Sequence, residues 1–325
     1  MGNFDVITIG DCTVDTFLVI NEASLEQDLE HDDLKLCLQY GDKIPIKHSC
    51  QSVGGNAANV AIGLAEQGFN TTVISELGDD INGHVIKQNL TKRKNVSEKF
   101  LKLLEEKETR YAMIIQYRSD RTVLSYYVNR DYSLPEFEPP ELIYYTSLGE
   151  NFVNLQTELI EYLEENKKTK LALNPGSYQI RHLAKLKNIF DYVDYLFVNK
   201  TETERILDKE IESLAEGSDK LHKLGFNYVA ITEGQEGALV SNQEEKFFMK
   251  PYPIEPIGKT GAGDAFASGF LGARLSDKNL ETSIKWATAN AGGVIQHVDT
   301  NKGVLTKKEV KKIISSYPNN KPSKI

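Results

Sequence analysis

The sequence predicts an α/β fold: a three-layer, doubly wound and mainly parallel sheet with a small β-sheet lid. Three observations predict it. Short β-branched segments alternate with helix-like segments along most of the 325 residues, which is typical of parallel sheets with right-handed crossovers and helices on both faces. A hydrophobic content of 40% is sufficient for one large core. Two regions of alternating apolar and polar residues interrupt this order and indicate a second, smaller sheet.

The first strand is predicted over residues 4–10, a β-branched run that ends in glycine, and Asp15 follows it. Residues 17–52 and 110–129 alternate in the manner of strands, and the second region has a predicted turn at Ser119–Asp120. These two regions therefore predict the second, smaller sheet.

A helix with a small apolar face is predicted over residues 56–67. The elements predicted after it are strands at 71–75, 142–146, 170–173, 195–198 and 228–231, helices at 82–90, 152–165 and 283–293, and a hairpin of 238–241 with 244–249. We expect one domain over residues 1–303, with lid segments at about 17–50 and 109–130. Residues 304–325 are expected to form a C-terminal helix and a frayed basic tail.

The composition excludes several classes of function. The net charge of −9 argues against nucleic acid as the main partner, because binding the phosphate backbone needs a basic footprint. No apolar run is long enough to span a bilayer and the N-terminus has no leader pattern, so we expect a soluble, cytoplasmic protein without a membrane partner. Cys12, Cys37 and Cys50 lack metal-ligand spacing and are expected to be reduced thiols.

The most informative stretch is the loop Gly261–Ala262–Gly263, which leads into a run of small and apolar residues. With almost no side chains, the loop lets backbone N–H groups converge at the start of the next helix, which is a site for anions. Asp264 follows at once, and a carboxylate there can accept the proton of an attacking hydroxyl group. The alternative is an ordinary helix start with Asp264 as its cap.

Thr260–Gly261–Ala262–Gly263–Asp264, followed by Ala265–Phe266, resembles the C-terminal signature of the ribokinase-like (PfkB) carbohydrate kinase family. The early element of that family, Gly-Gly-x-x-x-Asn, is matched by Gly54–Gly55 and Asn59. The resemblance extends from about residue 5 to about residue 301 and implies an ATP-dependent kinase with Mg²⁺. Asp264 is then the catalytic base, and Gly261, Ala262 and Gly263 hold the transferring group.

The candidate substrate residues are Asp15, Gly54, Gly55, Asn56, Asn59 and Glu150. Asn56 and Asn59 are three residues apart on one helix, so both amides can face one polyhydroxy ligand. The candidate nucleotide residues are Asn199, Thr232, Gly234, Gly237, Lys259 and Asn290. The resemblance also implies that Asn199 and Glu202 organise Mg²⁺, through its water shell. Capping, loop and surface roles are the alternatives for these residues.

One position departs from the family pattern. Gly258–Lys259 stands where many members have Asp-Thr, and that aspartate contributes to a monovalent-cation site in several of them. A K⁺ site is therefore not expected to be built in the same way. Lys259 brings an ammonium to the same neighbourhood and can replace the ion, point into solvent or reach the phosphates of ATP.

The predicted function is phosphoryl transfer from ATP to a primary hydroxyl of a carbohydrate. A nucleoside kinase of the same family is an alternative, because four tyrosines of the lid can stack a base: Tyr111, Tyr117, Tyr126 and Tyr127. A sugar- or nucleotide-binding protein without turnover is a second alternative. The exposed edge of the lid favours a homodimer.

Overall fold

The computed structural model describes residues 3–28, 33–118, 120–299 and 301–325. The strands are β1 (Val6–Ile9), β2 (Thr13–Ile20), β3 (Ser24–Asp28), β4 (Asp33–Cys37), β5 (Ile46–Gly54), β6 (Thr71–Gly78), β7 (Val96–Ser97), β8 (Leu101–Leu104), β9 (Tyr111–Tyr117), β10 (Asp120–Tyr126), β11 (Leu142–Tyr145), β12 (Lys170–Leu173), β13 (Tyr195–Asn199), β14 (Tyr228–Thr232), β15 (Ala238–Ser241), β16 (Lys246–Met249) and β17 (Ser323–Lys324). The α-helices are α1 (Asn56–Glu66), α2 (Ile81–Thr91), α3 (Phe152–Glu165), α4 (Ser177–Arg181), α5 (Leu183–Leu186), α6 (Lys200–Leu207), α7 (Leu214–Lys223), α8 (Ala262–Arg274), α9 (Leu280–Val294) and α10 (Lys307–Ser316). Two 3₁₀ helices lie at Lys187–Tyr192 and Gly234–Glu236.

The large sheet has the strand order β17-β16-β15-β14-β13-β12-β11-β1-β6-β7, and β8 also pairs with β6. Strands β14 to β11, β1 and β6 to β8 run parallel, and β15 to β17 form an antiparallel edge. Strand β1 is therefore an interior strand, between β11 and β6, and it is buried on both faces. The predicted doubly wound parallel sheet is confirmed.

Helices cover both faces of this sheet, because alternate side chains of its strands point to opposite layers. Ile7 and Ile143 pack with Leu159 of α3, whereas Val6 and Leu142 pack with Phe270 of α8. All of these side chains are buried. The molecule therefore has the three predicted layers.

The lid is a separate four-stranded sheet with the order β10-β9-β2-β5. Strand β2 follows β1 after three residues, and β5 leads directly into α1, so both connections lie at the carboxyl edge of the large sheet. A two-stranded hairpin of β3 and β4 extends the lid. Ser119 of the predicted turn lies outside the described residues.

The predicted elements recur with small shifts, and α3 and β12 have the predicted bounds. The expected frayed tail is wrong: β17 pairs with β16, and the Ile325 N–H donates to the Lys246 carbonyl at 3.0 Å. Val310 of α10 is also fully buried, so residues 304–325 are part of the same body. No helix in the described part of the chain could cross a bilayer.

The helices α1 and α8 pack side by side and run in the same direction. Asn59 contacts Asp264, and one turn further a Cβ on Gly63 would overlap Ser268. A further turn along, the Gln67 amide donates to the Ser268 carbonyl at 3.1 Å. Because Gly63 has no side chain, the two backbones can approach closely and both helices begin at the same edge of the sheet.

We predict that Gly63→Ala lowers the free energy of unfolding by about 1–3 kcal/mol, the usual cost of overpacking a dense core. The double variant with Ser268→Gly should recover most of that loss, because it removes the side chain that the new methyl meets. Denaturant unfolding of the wild type, the two single variants and the double variant measures these effects. Additive losses in the double variant would show that this contact does not set the helix spacing.

Candidate active site

The first turn of α8 lies at the carboxyl edge of the large sheet. Gly261 precedes the helix with φ +80°, a left-handed conformation that favours glycine, and it supplies no side chain to cap the helix. The N–H groups of the first turn, including those of Ala262 and Gly263, therefore remain available to an anion. Asp264 lies in the same turn and is 8% exposed.

Asp264 accepts a hydrogen bond from the Asn59 side-chain amide at 2.8 Å. Burial raises the pKa of Asp264 from 3.8 to about 6, while the hydrogen bond from Asn59 opposes the shift and the nearby Asp15 and Glu202 add to it. This carboxyl group is therefore a good proton acceptor at neutral pH.

Asp15 projects from lid strand β2, and Thr13 donates a hydrogen bond to its carboxylate at 2.8 Å. Burial raises the pKa of Asp15 to about 6. Two glycines make room for this arrangement. A Cβ on Gly54 would overlap the Asp15 carboxylate, and a Cβ on Gly55, where φ is +88°, would overlap the Asp11 carbonyl. The Gly-Gly pair therefore permits the lid strand to lie against the start of α1.

Asn56 begins α1, and its amide donates to the Asn174 side-chain oxygen at 3.2 Å. Asn174 is fixed in turn by a 2.8 Å hydrogen bond from its own amide to the Phe197 carbonyl. The side-chain oxygen of Asn59 is buried and has no partner among the described residues. A buried acceptor of this kind requires a donor, and a ligand hydroxyl would supply one.

A cavity of about 580 Å³ opens beside Gly263. Its lining includes the nucleotide candidates Thr232, Gly234, Gly237 and Lys259 together with the apolar residues Ile254, Phe266 and Ile295. The hydroxyl groups of Tyr252 and Thr288, two further lining residues, are buried and lack a partner in the described part of the chain. An apolar cavity with a few unsatisfied polar atoms next to an anion site fits a nucleotide.

Asn199 and Glu202 form a capping box at the start of α6. The Asn199 side chain accepts from the Glu202 N–H at 2.8 Å, and the Glu202 carboxylate accepts from the Asn199 N–H at 2.9 Å. Burial raises the pKa of Glu202, while the hydrogen bonds from Asn199 and the nearby Arg205 oppose the shift. The described residues contain no cluster of three metal-ligating side chains. The capping role given as the alternative for this pair is therefore present, and a role in orienting the water shell of a nucleotide-bound Mg²⁺ stays a prediction.

Two candidates lie apart from these groups. Glu150 is exposed, and its side chain forms no hydrogen bond or ion pair with the described residues. Asn290 is fully buried inside α9, where its amide donates to the Ala265 carbonyl at 2.8 Å and its oxygen accepts from the Leu305 N–H at 2.9 Å. Asn290 therefore holds α9 to α8 and has no free group for a nucleotide, which corrects the sequence prediction for this residue.

The unusual pair Gly258–Lys259 has a packing explanation. A Cβ on Gly258 would lie 2.6 Å from the His297 carbonyl oxygen, and the Gly258 N–H donates to the Ile295 carbonyl at 3.1 Å. A side chain at position 258 would therefore push the loop away from the end of α9. Lys259 is exposed and lines the nucleotide cavity.

Sequence analysis missed a buried ion pair next to the acceptor residues. Arg110, at the start of β9, pairs with Asp11, which also accepts a 3.0 Å hydrogen bond from the Tyr132 hydroxyl. The Arg110 guanidinium lies 4.5 Å from the Tyr127 ring centroid. Because 99 residues separate the two charges, no local pattern could have joined them.

Comparison with known proteins adds three findings. The model of the pfkB family of carbohydrate kinases matches residues 17–307. A nucleoside kinase of Methanocaldococcus jannaschii is 27% identical over 78% of this chain and 82% of its own length. An ATP-dependent 6-phosphofructokinase of Thermoanaerobacterium thermosaccharolyticum is 23% identical over 91% of this chain and 89% of its own length.

Among solved structures, Arabidopsis thaliana ribokinase complexed with ribose and ATP superposes with a TM-score of 0.74 at 18% identity. The match covers 96% of this chain and 99% of that chain. At this identity the likeness shows the fold, and it agrees with the three layers and the lid described above.

We predict that Gly263→Ala folds normally and weakens ATP binding by about tenfold or more, a change of about 1.4 kcal/mol. A Cβ at this position meets no atom within 4 Å and would enter the cavity. Gly261→Ala is the matched control, because φ +80° should make it destabilising. Calorimetric titration and thermal unfolding measure the two effects. Unchanged ATP affinity in Gly263→Ala would place the phosphates elsewhere.

A second prediction concerns the pH dependence of stability. Because the folded-state pKa of Asp264 is raised from 3.8 to about 6, burial favours its protonated form, and stability is lost as the pH rises through that value. Asp264→Asn should therefore be more stable than the wild type by about 1–3 kcal/mol near pH ~8 and no more stable near pH ~4. Chemical denaturation at both pH values tests this. An equal difference in the free energy of unfolding at both pH values would contradict the raised pKa of Asp264.

Proposed function

The chain belongs to the pfkB family of carbohydrate kinases, and we propose that it transfers the γ-phosphoryl group of ATP to a primary hydroxyl of an uncharged carbohydrate. The observation that carries this proposal is the buried Asp264 carboxyl group, held by Asn59 beside the open first turn of α8. It combines a proton acceptor with an anion site at one point.

In the proposed reaction, Asp264 accepts the proton of the acceptor hydroxyl group. The oxygen of that hydroxyl group forms a bond to the γ-phosphorus. The bond between that phosphorus and the oxygen that bridges to the β-phosphate breaks, and ADP leaves with the electron pair. The N–H groups from Gly261 to Gly263 stabilise the charge of the transferring group. Mg²⁺, when bound with ATP, supplies further charge neutralisation, and Asn199 and Glu202 orient its water.

The acceptor side supports a polyhydroxy ligand. Asp15 offers carboxylate oxygens, Asn59 an unpartnered amide oxygen and Asn56 an amide group at the same edge. Each of these groups can hydrogen bond to a hydroxyl. Glu150 is left out of this set because it has no contact with the others.

The charge balance favours an uncharged acceptor over a phosphorylated one. Arg110 is the buried cation nearest to Asp15 along the lid strands, and Asp11 already neutralises it. Arg130, also buried, donates to two backbone carbonyls. An acceptor with its own phosphate would place that charge near the carboxyl groups of Asp15 and Asp264, which would repel it.

The four lid tyrosines do not favour a nucleoside. Tyr111 and Tyr126 stack on each other with their centroids 5.0 Å apart, and Tyr127 lies against Arg110. Tyr117 donates its hydroxyl to the Ala23 carbonyl at 2.7 Å. These contacts support a packing role within the lid. A dimer through the edge of this lid remains a prediction.

A turnover screen with Mg-ATP tests the proposal, using free sugars, nucleosides and sugar phosphates as acceptors. We expect the highest kcat/KM with a free sugar, and a loss of roughly 10²–10⁴ in kcat for Asp264→Asn, the usual contribution of a general base. The wild-type rate should rise with pH through about 6, because the base must be deprotonated. Preference for a sugar phosphate or a nucleoside would overturn the assigned acceptor, and full activity of Asp264→Asn would overturn the assigned base.

A further inference from the structure

Asn174 has a fixed orientation at the carboxyl end of β12. Its backbone N–H donates to the Tyr145 carbonyl at 3.0 Å, and its own carbonyl accepts from the Thr146 hydroxyl at 2.8 Å. Its side-chain amide donates to the Phe197 carbonyl on β13 at 2.8 Å. Because a backbone carbonyl can only accept a hydrogen bond, the NH₂ group of Asn174 must face β13 and its side-chain oxygen must face away from it.

The side-chain oxygen of Asn174 accepts two hydrogen bonds. The Tyr144 hydroxyl donates to it at 3.2 Å, and the Asn56 amide donates to it at 3.2 Å from the start of α1. Tyr144 is fully buried, and burial together with the nearby Asp264 raises its pKa well above the usual value, so its hydroxyl stays protonated. Asn174 therefore requires Asn56 to turn its NH₂ group inward, which leaves the Asn56 oxygen on the other side.

The neighbouring side chains also present oxygen atoms. Asp264 accepts the Asn59 amide at 2.8 Å, so the Asn59 oxygen is the atom without a partner among the described residues. Thr13 donates to one carboxylate oxygen of Asp15, and the other oxygen has no hydrogen bond within the described ranges. Asp15, Asn56 and Asn59 thus each offer an unpaired oxygen, which is a hydrogen-bond acceptor.

We propose that Asn174 is a positioning residue: it fixes the Asn56 amide so that the acceptor site offers oxygen atoms, and the site therefore selects a polyhydroxy sugar that donates from several hydroxyl groups. This inference rests on the proposed function. The sugar hydroxyl groups would donate to the oxygens of Asp15, Asn56 and Asn59. A keto, ether or fluorine substituent in the same place has no proton to donate, so it leaves a protein oxygen unpaired.

Deoxy and deoxyfluoro analogues test this selection. They are made from the free sugar with the highest kcat/KM, and each replaces one hydroxyl group by hydrogen or by fluorine, which accepts weakly and cannot donate. Inhibition of turnover of the parent sugar measures their affinity. At each position where the deoxy analogue binds at least about tenfold more weakly than the parent, we expect fluorine to recover none of that loss. Recovery by fluorine at these positions, or the absence of any such position, would overturn the inference.

Two variants test the role of Asn174 itself. Asn174→Leu removes the oxygen that holds Asn56, so the acceptor KM should rise by about 5–20-fold and the loss caused by fluorine should shrink at one position, where the Asn56 amide can now donate. Asn174→Asp keeps an oxygen toward Asn56 and Tyr144 and should recover most of the KM. Both should bind ATP like the wild type, because no nucleotide contact is lost.

Gln156→Leu is the matched control, because it removes another buried amide, which donates to the Lys185 carbonyl at 2.9 Å. It should leave the acceptor KM and the effect of fluorine unchanged, and thermal unfolding shows what the loss of a buried amide costs in stability. An acceptor KM and an effect of fluorine in Asn174→Leu equal to those of the wild type would overturn the positioning role.

The failure of this inference and that of the proposed function are distinguishable. A wild type that turns over no sugar would overturn the proposed function. A wild type that turns over a free sugar, while fluorine restores the affinity lost in the deoxy analogues, would overturn this inference alone.

Discussion

The close parallel packing of α1 against α8 is the constraint on which the site depends. The chain positions of Asn59 and Asp264 differ by 205 residues, yet the two side chains meet at 2.8 Å because the helices lie in register along their whole contact. That register is possible because Gly63 presents no side chain to Ser268. Since the helices run in the same direction, their positive ends converge on one point at the edge of the sheet, and the Asp264 carboxyl group lies between them.

The two sides of the candidate site, one around Asp15 and the other around Lys259, have opposite electrostatic character. On the side of Asp15, burial of Asp15 and Asp264 raises both pKa values to about 6, and the buried pair of Asp11 and Arg110 is internally neutral. On the side of Gly263, Lys259 and the uncapped start of α8 supply positive potential. Under the proposed function, an acidic protein attracts a polyanion locally, and its acceptor site selects ligands by hydrogen bonding instead of charge.

The features that the sequence predicts best are those that local periodicity and backbone conformation determine. The bounds of α3 follow from its apolar spacing, and Gly261 follows from the need for a positive φ. Asn290 shows the limit of prediction from sequence. The sequence places this asparagine in a helix, but it does not reveal whether the side chain faces a ligand or a neighbouring helix. The same holds for Arg110 and Asn174, whose surroundings come from distant segments. The short edge strands β7 and β8 carry too few residues for a period to be recognised.

The two acidic residues Asp15 and Asp264 belong to different parts of the molecule. Asp15 is carried by a strand of the lid, whereas Asp264 is carried by a helix of the body, and the only backbone between β1 and β2 is the segment 10–12. Any displacement of the lid about this segment would therefore change the distance between the two carboxyl groups. Under the proposed function, the displacement that lets the product leave would also take the acceptor site apart.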